Sequence, residues 1–220
     1  MKMKTILFML LTAVLSVASI MTVKAATISD SGEYTLVLHV GSDDDASIDG
    51  EYAVAIRFDV ALGEETVKLS ELTKGIIPFN GKTQFSHWET MNKEKADEEL
   101  SIEDFTSQGN FYTSAGEEIT YRNGLMLEAK FSDKGLDETG KYYVTLDSFG
   151  GAINGKAKLL FENEASEFTT IDLTKYTPER KGCTFKGWDL DGKMVTSVDS
   201  SAFSKNVSIK LIATYTQNTF

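Results

Sequence analysis

Along this chain apolar and polar residues alternate with a period of two in segment after segment, the pattern of strands with one face buried. Tyr34 to Val40 puts Leu36, Leu38 and Val40 on one face and Thr35, Val37 and His39 on the other, which predicts a half-buried strand. Tyr52 to Val60 aligns Tyr52, Val54, Ile56, Phe58 and Val60, predicting a strand that crosses a core. A short strand is expected at 66–69. Tyr142 to Asp147 reads as another strand, and Lys156 to Phe161 as the next, with Ala157, Leu159 and Phe161 inward. Two further segments match position for position: Leu125, Leu127, Ala129 and Phe131 against Ile209, Leu211, Ala213 and Tyr215. The turns repeat as well. Ser47-Ile-Asp-Gly50 and Ala152-Ile-Asn-Gly155 both carry the Asp-Gly or Asn-Gly pair of a tight hairpin.

The repetition extends to the rarest residues. The chain has two prolines and two tryptophans, and Pro78, Phe85 and Trp88 stand at the spacings of Pro178, Phe185 and Trp188. Phe and Trp three apart on an extended strand would face opposite ways, so a bulge is expected to turn both inward. Core packing and stacking on a sugar are both open to such tryptophans, and recurrence in both copies fits packing better. Later in each copy a capping residue, Ser101 or Asp199, lies between an apolar residue and an aromatic four positions on, predicting one short helical turn. The charged run Asn92 to Glu99 between Trp88 and that turn reads as a solvated loop.

The copies differ in length. Phe105 to Ala129 spans 129 − 105 = 24 positions and Phe203 to Ala213 spans 213 − 203 = 10, so the first copy carries 14 extra residues. They fall within 106–123, where Phe111 to Tyr121 reads as an added hairpin turning at Ser114-Ala-Gly116. Phe111, Tyr112 and Tyr121 are its candidate ligand contacts, since aromatic side chains give large contact area at low entropic cost. The other reading packs these rings on their own sheet.

Lys2 and Lys4 precede an apolar run from Ile6 to Met21 and then Val23-Lys-Ala25, the pattern of a secretory leader cleaved near Ala25 rather than a membrane anchor. Losing 1–25 removes three lysines, so 22 − 33 = −11 becomes 19 − 33 = −14. A chain this acidic is a poor partner for nucleic acid, and no membrane span is expected in the mature protein. Cys183 is alone, so no intrachain disulfide forms and packed cores must hold the fold. The polar run Ser132 to Gly140 is the one candidate joint, giving units at 26–132 and 133–220 short enough to touch.

Candidate chemistry is sparse. Asp45, Ser47, Asp49 and Gly50 imitate the opening of a calcium loop at 43–51, but its twelfth position holds Ile56 instead of a bidentate Glu, and a turn is preferred. His39 and His87 are the only histidines and no Gly-x-Ser-x-Gly elbow occurs. Cys183 has no neighbouring His in sequence. No catalytic residue, metal site or cofactor is therefore assigned, and an enzyme is not expected.

Tyr143-Val-Thr-Leu-Asp-Ser-Phe-Gly-Gly-Ala-Ile-Asn-Gly155, Pro178, Gly182-Cys-Thr-Phe-Lys-Gly-Trp188 and Val207 to Tyr215 together resemble the internalin-type B-repeat, also called the Listeria-Bacteroides repeat. The first copy is a divergent relative that keeps Pro78, Phe85 and Trp88, lacks Gly-Gly, and has His87 where the second has Gly187. Cys183 stands where the repeat pattern usually has Tyr. The resemblance implies a mainly β, β-grasp-like module, here two tandem small β-sheet domains, each with one short helical turn. It also implies a bacterial protein, secreted or displayed on the surface, without catalytic residues. Such a protein would bind a protein or glycan ligand at the cell exterior, or serve as a spacer or self-assembling element. Pro78, Phe85, Trp88, Pro178, Phe185 and Trp188 are then structural anchors.

Overall fold

The computed structural model describes residues 34–218; the leader expected at 1–25 lies outside the described residues. The described chain is mainly β. Its first half forms β1 (Tyr34–His39), β2 (Ser47–Ile48), β3 (Ala53–Phe58), β4 (Thr66–Lys68) and β5 (Pro78–Phe79). It continues with β6 (Thr83–Thr90), β7 (Glu99–Ser101), β8 (Ser107–Tyr112) and the long β9 (Glu118–Gly135). The second half forms β10 (Lys141–Asp147), β11 (Lys158–Glu164), β12 (Ile171–Asp172) and β13 (Cys183–Leu190). Short β14 (Lys193–Val195) and β15 (Ser197–Val198) precede the closing β16 (Ser208–Gln217).

Two five-stranded sheets carry the fold. One runs β3-β1-β9-β6 with β8 added to β9, the other β11-β10-β16-β13-β14. In both, the opening strand pairs antiparallel with the next long strand and parallel with the closing strand. The tryptophan strand, β6 or β13, pairs antiparallel with the closing strand from its other side. A parallel pair requires a long crossover. Here the crossover holds a two-stranded ladder, β4 with β7 or β12 with β15.

Local chemistry accounts for the shared details. Register shifts occur between Phe85 and His87 and between Phe185 and Gly187, so the expected bulge lies at that place in both strands. Trp88 and Trp188 are buried as a result, with Phe85 and Phe185 ring centroids 5.1 and 5.4 Å away. Trp188 Nε1 donates to the Tyr176 carbonyl at 2.9 Å, so its one polar atom is satisfied inside. Ser101 accepts the Glu103 N–H and Asp199 the Ser201 N–H, capping single 3-10 turns. Leu100 and Phe105, like Val198 and Phe203, are buried at either end of those turns.

Three expectations need correction. β3 is an edge strand paired only with β1, and Tyr52 is half exposed instead of sharing the core face. β1 is buried on both faces, Thr35 and Val37 included, because the added hairpin lies over its outer side. β11 begins at Lys158 because Lys156 closes the turn with Ile153 and the Ala157 carbonyl accepts the Ser148 N–H. The candidate joint at 132–140 takes regular structure. β9 continues to Gly135, a 3-10 turn covers Leu136–Thr139, and Leu136 is buried with Phe79 and Tyr143.

Candidate binding surface

The acidic loop after β1 seats the two halves on each other. Asp49 and Gly50 have φ of +50° and +84°, and Asn154 and Gly155 have +52° and +81°, so both turns place both central residues in the left-handed region. Beyond the turn they differ. Gly50 accepts the Lys158 N–H at 3.0 Å, and a Cβ there would run into the Lys158 carbonyl. Asp45 takes Lys82 at 2.9 Å and Lys210 at 2.6 Å, while Asp49 takes Lys156 at 2.6 Å. The hydrogen bonds from Lys210 and Lys82 hold the Asp45 carboxyl down at about 2. Lysines thus neutralise the carboxylates that the calcium reading would use, and among the described residues no group of three or more His, Cys, Asp and Glu is placed to hold a metal. Lys158 is buried, donates to the Asp44 carbonyl at 2.5 Å, and sits 5.5 Å from the centre of the Tyr52 ring. Burial pushes its ammonium pKa down.

One carboxylate draws three segments together beside that contact. Glu51 accepts the Ser114 N–H at 3.0 Å, the Ser114 hydroxyl at 2.5 Å and the Ala157 N–H at 3.3 Å. Ala157 in turn accepts the N–H of Ser148, the residue before Phe149. Tyr52 follows Glu51, Tyr112 lies two residues before Ser114, and Phe149 follows Ser148, so each flanks one of these bonded segments in sequence. They are 50 %, 65 % and 61 % exposed. Burial, helped by Asp44 and Asp147, raises the Tyr52 phenol pKa, and Asp147 also accepts the Phe149 N–H at 2.9 Å.

Phe149 is unusual in its backbone. Its φ is +49°, a left-handed conformation that a bulky side chain rarely adopts. The turn leaves it little choice. Gly151 N–H returns to the Ser148 carbonyl at 3.1 Å, the Tyr215 hydroxyl donates to that same carbonyl at 2.8 Å, and buried Ser148 Oγ lies 2.6 and 2.7 Å from the carbonyls of Gly151 and Ala157, which share its one proton. Arg180 donates to the Phe149 carbonyl at 3.1 Å, its guanidinium carbon 5.9 Å from the Phe149 ring centre and 5.4 Å from that of Tyr215.

The predicted contacts divide. Tyr112 faces solvent, and Phe111 next to it is half-buried, following the alternation of β8. Tyr121 is a correction: it is buried, its ring fills the space above Gly109 and Gly124, and its hydroxyl lies 3.3 Å from Met126 Sδ. It lines a shallow hollow of about 290 Å³ with Thr35, Thr120, Arg122 and Asn123. His39 accepts the Gly41 N–H on Nδ1, with a pKa lowered by burial, and His87 Nδ1 lies 3.0 Å from Ser86 Oγ. Cys183 is a half-buried free thiol at the start of β13. Sequence reasoning missed Tyr52, Phe149 and Arg180. The signal for Phe149 was present in Ser-Phe-Gly-Gly151, where a tight turn puts a large ring at a position suited to Asn or Gly. No family model, curated protein or solved structure matches this chain.

Proposed function

We propose that this chain is a secreted bacterial binding protein without catalytic function, made of two tandem B-repeat-like, β-grasp-like modules at 26–132 and 133–220. Its export rests on the leader pattern at 1–25. The two-module reading is supported by the common strand order, with opening and closing strands parallel in each sheet. Pro78, Phe85 and Trp88, with Pro178, Phe185 and Trp188, then serve as packing anchors.

The observation that carries the binding reading is that exposed Tyr52, Tyr112 and Phe149 flank segments bonded to one another through Glu51 and Ala157. Exposed aromatic rings cost solvation, and a cluster of them on hydrogen-bonded backbone is the ordinary make-up of a protein contact surface. Residues 26–220 applied to an array of glycans and extracellular matrix proteins test it. The expected result is retention on a subset of spots, reduced about tenfold or more in Tyr112→Ser, with the fold intact by circular dichroism. Retention unchanged in that variant would remove Tyr112 from the surface. The alternative is a spacer or self-assembling element, which open sheet edges such as β11 would favour. Sedimentation showing a monomer at every concentration would remove self-assembly.

A further inference from the structure

The Phe149 turn is built against the interest of folding. At this position of a tight turn, Asn or Gly meets the left-handed backbone without strain. The chain instead holds Phe at φ +49° and leaves the ring 61 % exposed, so burial does not offset the strain. A strained residue persists where its surroundings determine it fully, and such residues gather at functional sites. Here the bonds from Tyr215, Ser148, Gly151 and Arg180 do so.

Arg180 is the second observation. It is exposed, stacked between the Phe149 and Tyr215 rings, and no carboxylate pairs with it among the described residues, in a chain with 33 acids against 22 bases. Exposed Lys181 adds a second positive charge beside it. A planar guanidinium held on an aromatic face is pre-organised to take a carboxylate through two parallel N–H bonds. Resting on the binding reading above, we propose that Phe149 and Arg180 form the recognition element of this surface and that its partner is a protein presenting a carboxylate next to an apolar side chain. The carboxylate takes Arg180 and the apolar group covers the Phe149 ring. A protein partner is favoured because Tyr, Phe and Arg, the residues of this patch, are the types enriched at the centres of protein interfaces.

Three full-length variants, Phe149→Asn, Arg180→Ala and Tyr112→Ser, test this by thermal unfolding and on two probes. One probe is an array of ten-residue synthetic peptides permuting Asp, Glu, Leu, Phe and Ser; the other is a glycan array. The expected result has two parts. Phe149→Asn melts higher than the parent, since the strain relieved outweighs the little contact that a mostly exposed ring makes. The parent retains peptides with Asp or Glu next to Leu or Phe, more weakly as salt rises, and both Phe149→Asn and Arg180→Ala lose about tenfold or more. A Phe149→Asn variant that melts lower shows the ring to be packing and overturns the proposal. So does peptide retention indifferent to Arg180→Ala, or retention on glycans alone. Loss of binding in Tyr112→Ser with none in Arg180→Ala fells this inference and leaves the surface standing, whereas a parent that binds neither probe fells the binding reading itself.

Discussion

The two sheets share strand order, a bulge before the tryptophan and a capped turn, yet each covers its outer face by a different device. In the first half the extra residues form β8 and the start of β9, which reach back over β1 and β3. Arg57 donates to the Thr120 carbonyl at 2.9 Å and Ser114 meets Glu51, so Thr35 and Val37 disappear from solvent. In the second half no hairpin is inserted, and the first half supplies the cover. Asp45, Ala46 and Gly50 sit on Lys158 and Lys210, and Phe79 stacks on Tyr143 at 5.1 Å. A sheet of this plan has an outer face that something must cover; one copy carries its own cover and the other borrows it. The borrowed cover is smaller. Leu160 and Ile212 stay 39 % and 36 % exposed on that face.

The contrast is broken most sharply at Tyr121. Replacing it with Ala strips the hairpin of its buried ring and is expected to cost about 4 kcal/mol in urea unfolding. A loss below about 1 kcal/mol would show that the hairpin is not the first sheet's cover. The paired turns come next. Gly155→Ala places a Cβ in open space and costs about 1 kcal/mol for the left-handed backbone alone. Gly50→Ala adds the collision with the Lys158 carbonyl and is expected to cost about 3 kcal/mol. Equal losses at the two sites would mean that the halves do not press together at this turn.

Lys158→Ala leaves the Asp44 and Ala46 carbonyls without their donor, at about 2 kcal/mol. Each sheet holds one tryptophan, so Trp88→Phe and Trp188→Phe backgrounds let fluorescence follow the halves separately. Their midpoints are expected to part in Lys158→Ala and to coincide in the parent. The smallest effect is that of Asp45. Its carboxyl lies near 2 when folded against an ordinary 3.8, so its contribution is present above about pH 4 and fades as pH falls through 2. Partial exposure limits this to about 1 kcal/mol or less, and salt should weaken it further. Carboxyl resonances followed by NMR from pH 5 to pH 1.5 give the midpoint directly; a value near 3.8 would detach Asp45 from its lysines.

What could be read from the sequence is what short-range chemistry determines. Asp-Gly and Asn-Gly set the two turns, a three-residue spacing of Phe and Trp set the bulges, and Ser101 and Asp199 set the caps. The inward sides of β1, β9 and β16 followed from period two alone. The outer faces did not, because their burial depends on contacts far off in sequence. Val37 and Thr35 look half exposed until the hairpin is placed over them. Lys158 reads as a solvated lysine until Asp44 and Tyr52 close on it. For the same reason the surface was legible only at Tyr112: Tyr52 passed for a core residue and Tyr121 for an exposed one, and nothing in the sequence singled out Arg180.

The parallel pairing of opening and closing strands also governs how this chain comes into being. Thr35 must find Gly124, 124 − 35 = 89 residues later, and Tyr143 must find Ser208, 208 − 143 = 65 residues later, so neither sheet closes until its own last strand has left the ribosome. Contacts this remote make for slow closure. The added hairpin costs little on that account, since lengthening the loop from 65 to 89 raises the closure entropy by only about 0.3 kcal/mol. The first sheet can close while the second is still emerging. Its acidic loop then stands waiting, with Asp45 held by Lys82 alone and Glu51 by Ser114 alone, until Ala157, Lys158 and Lys210 arrive to seal it.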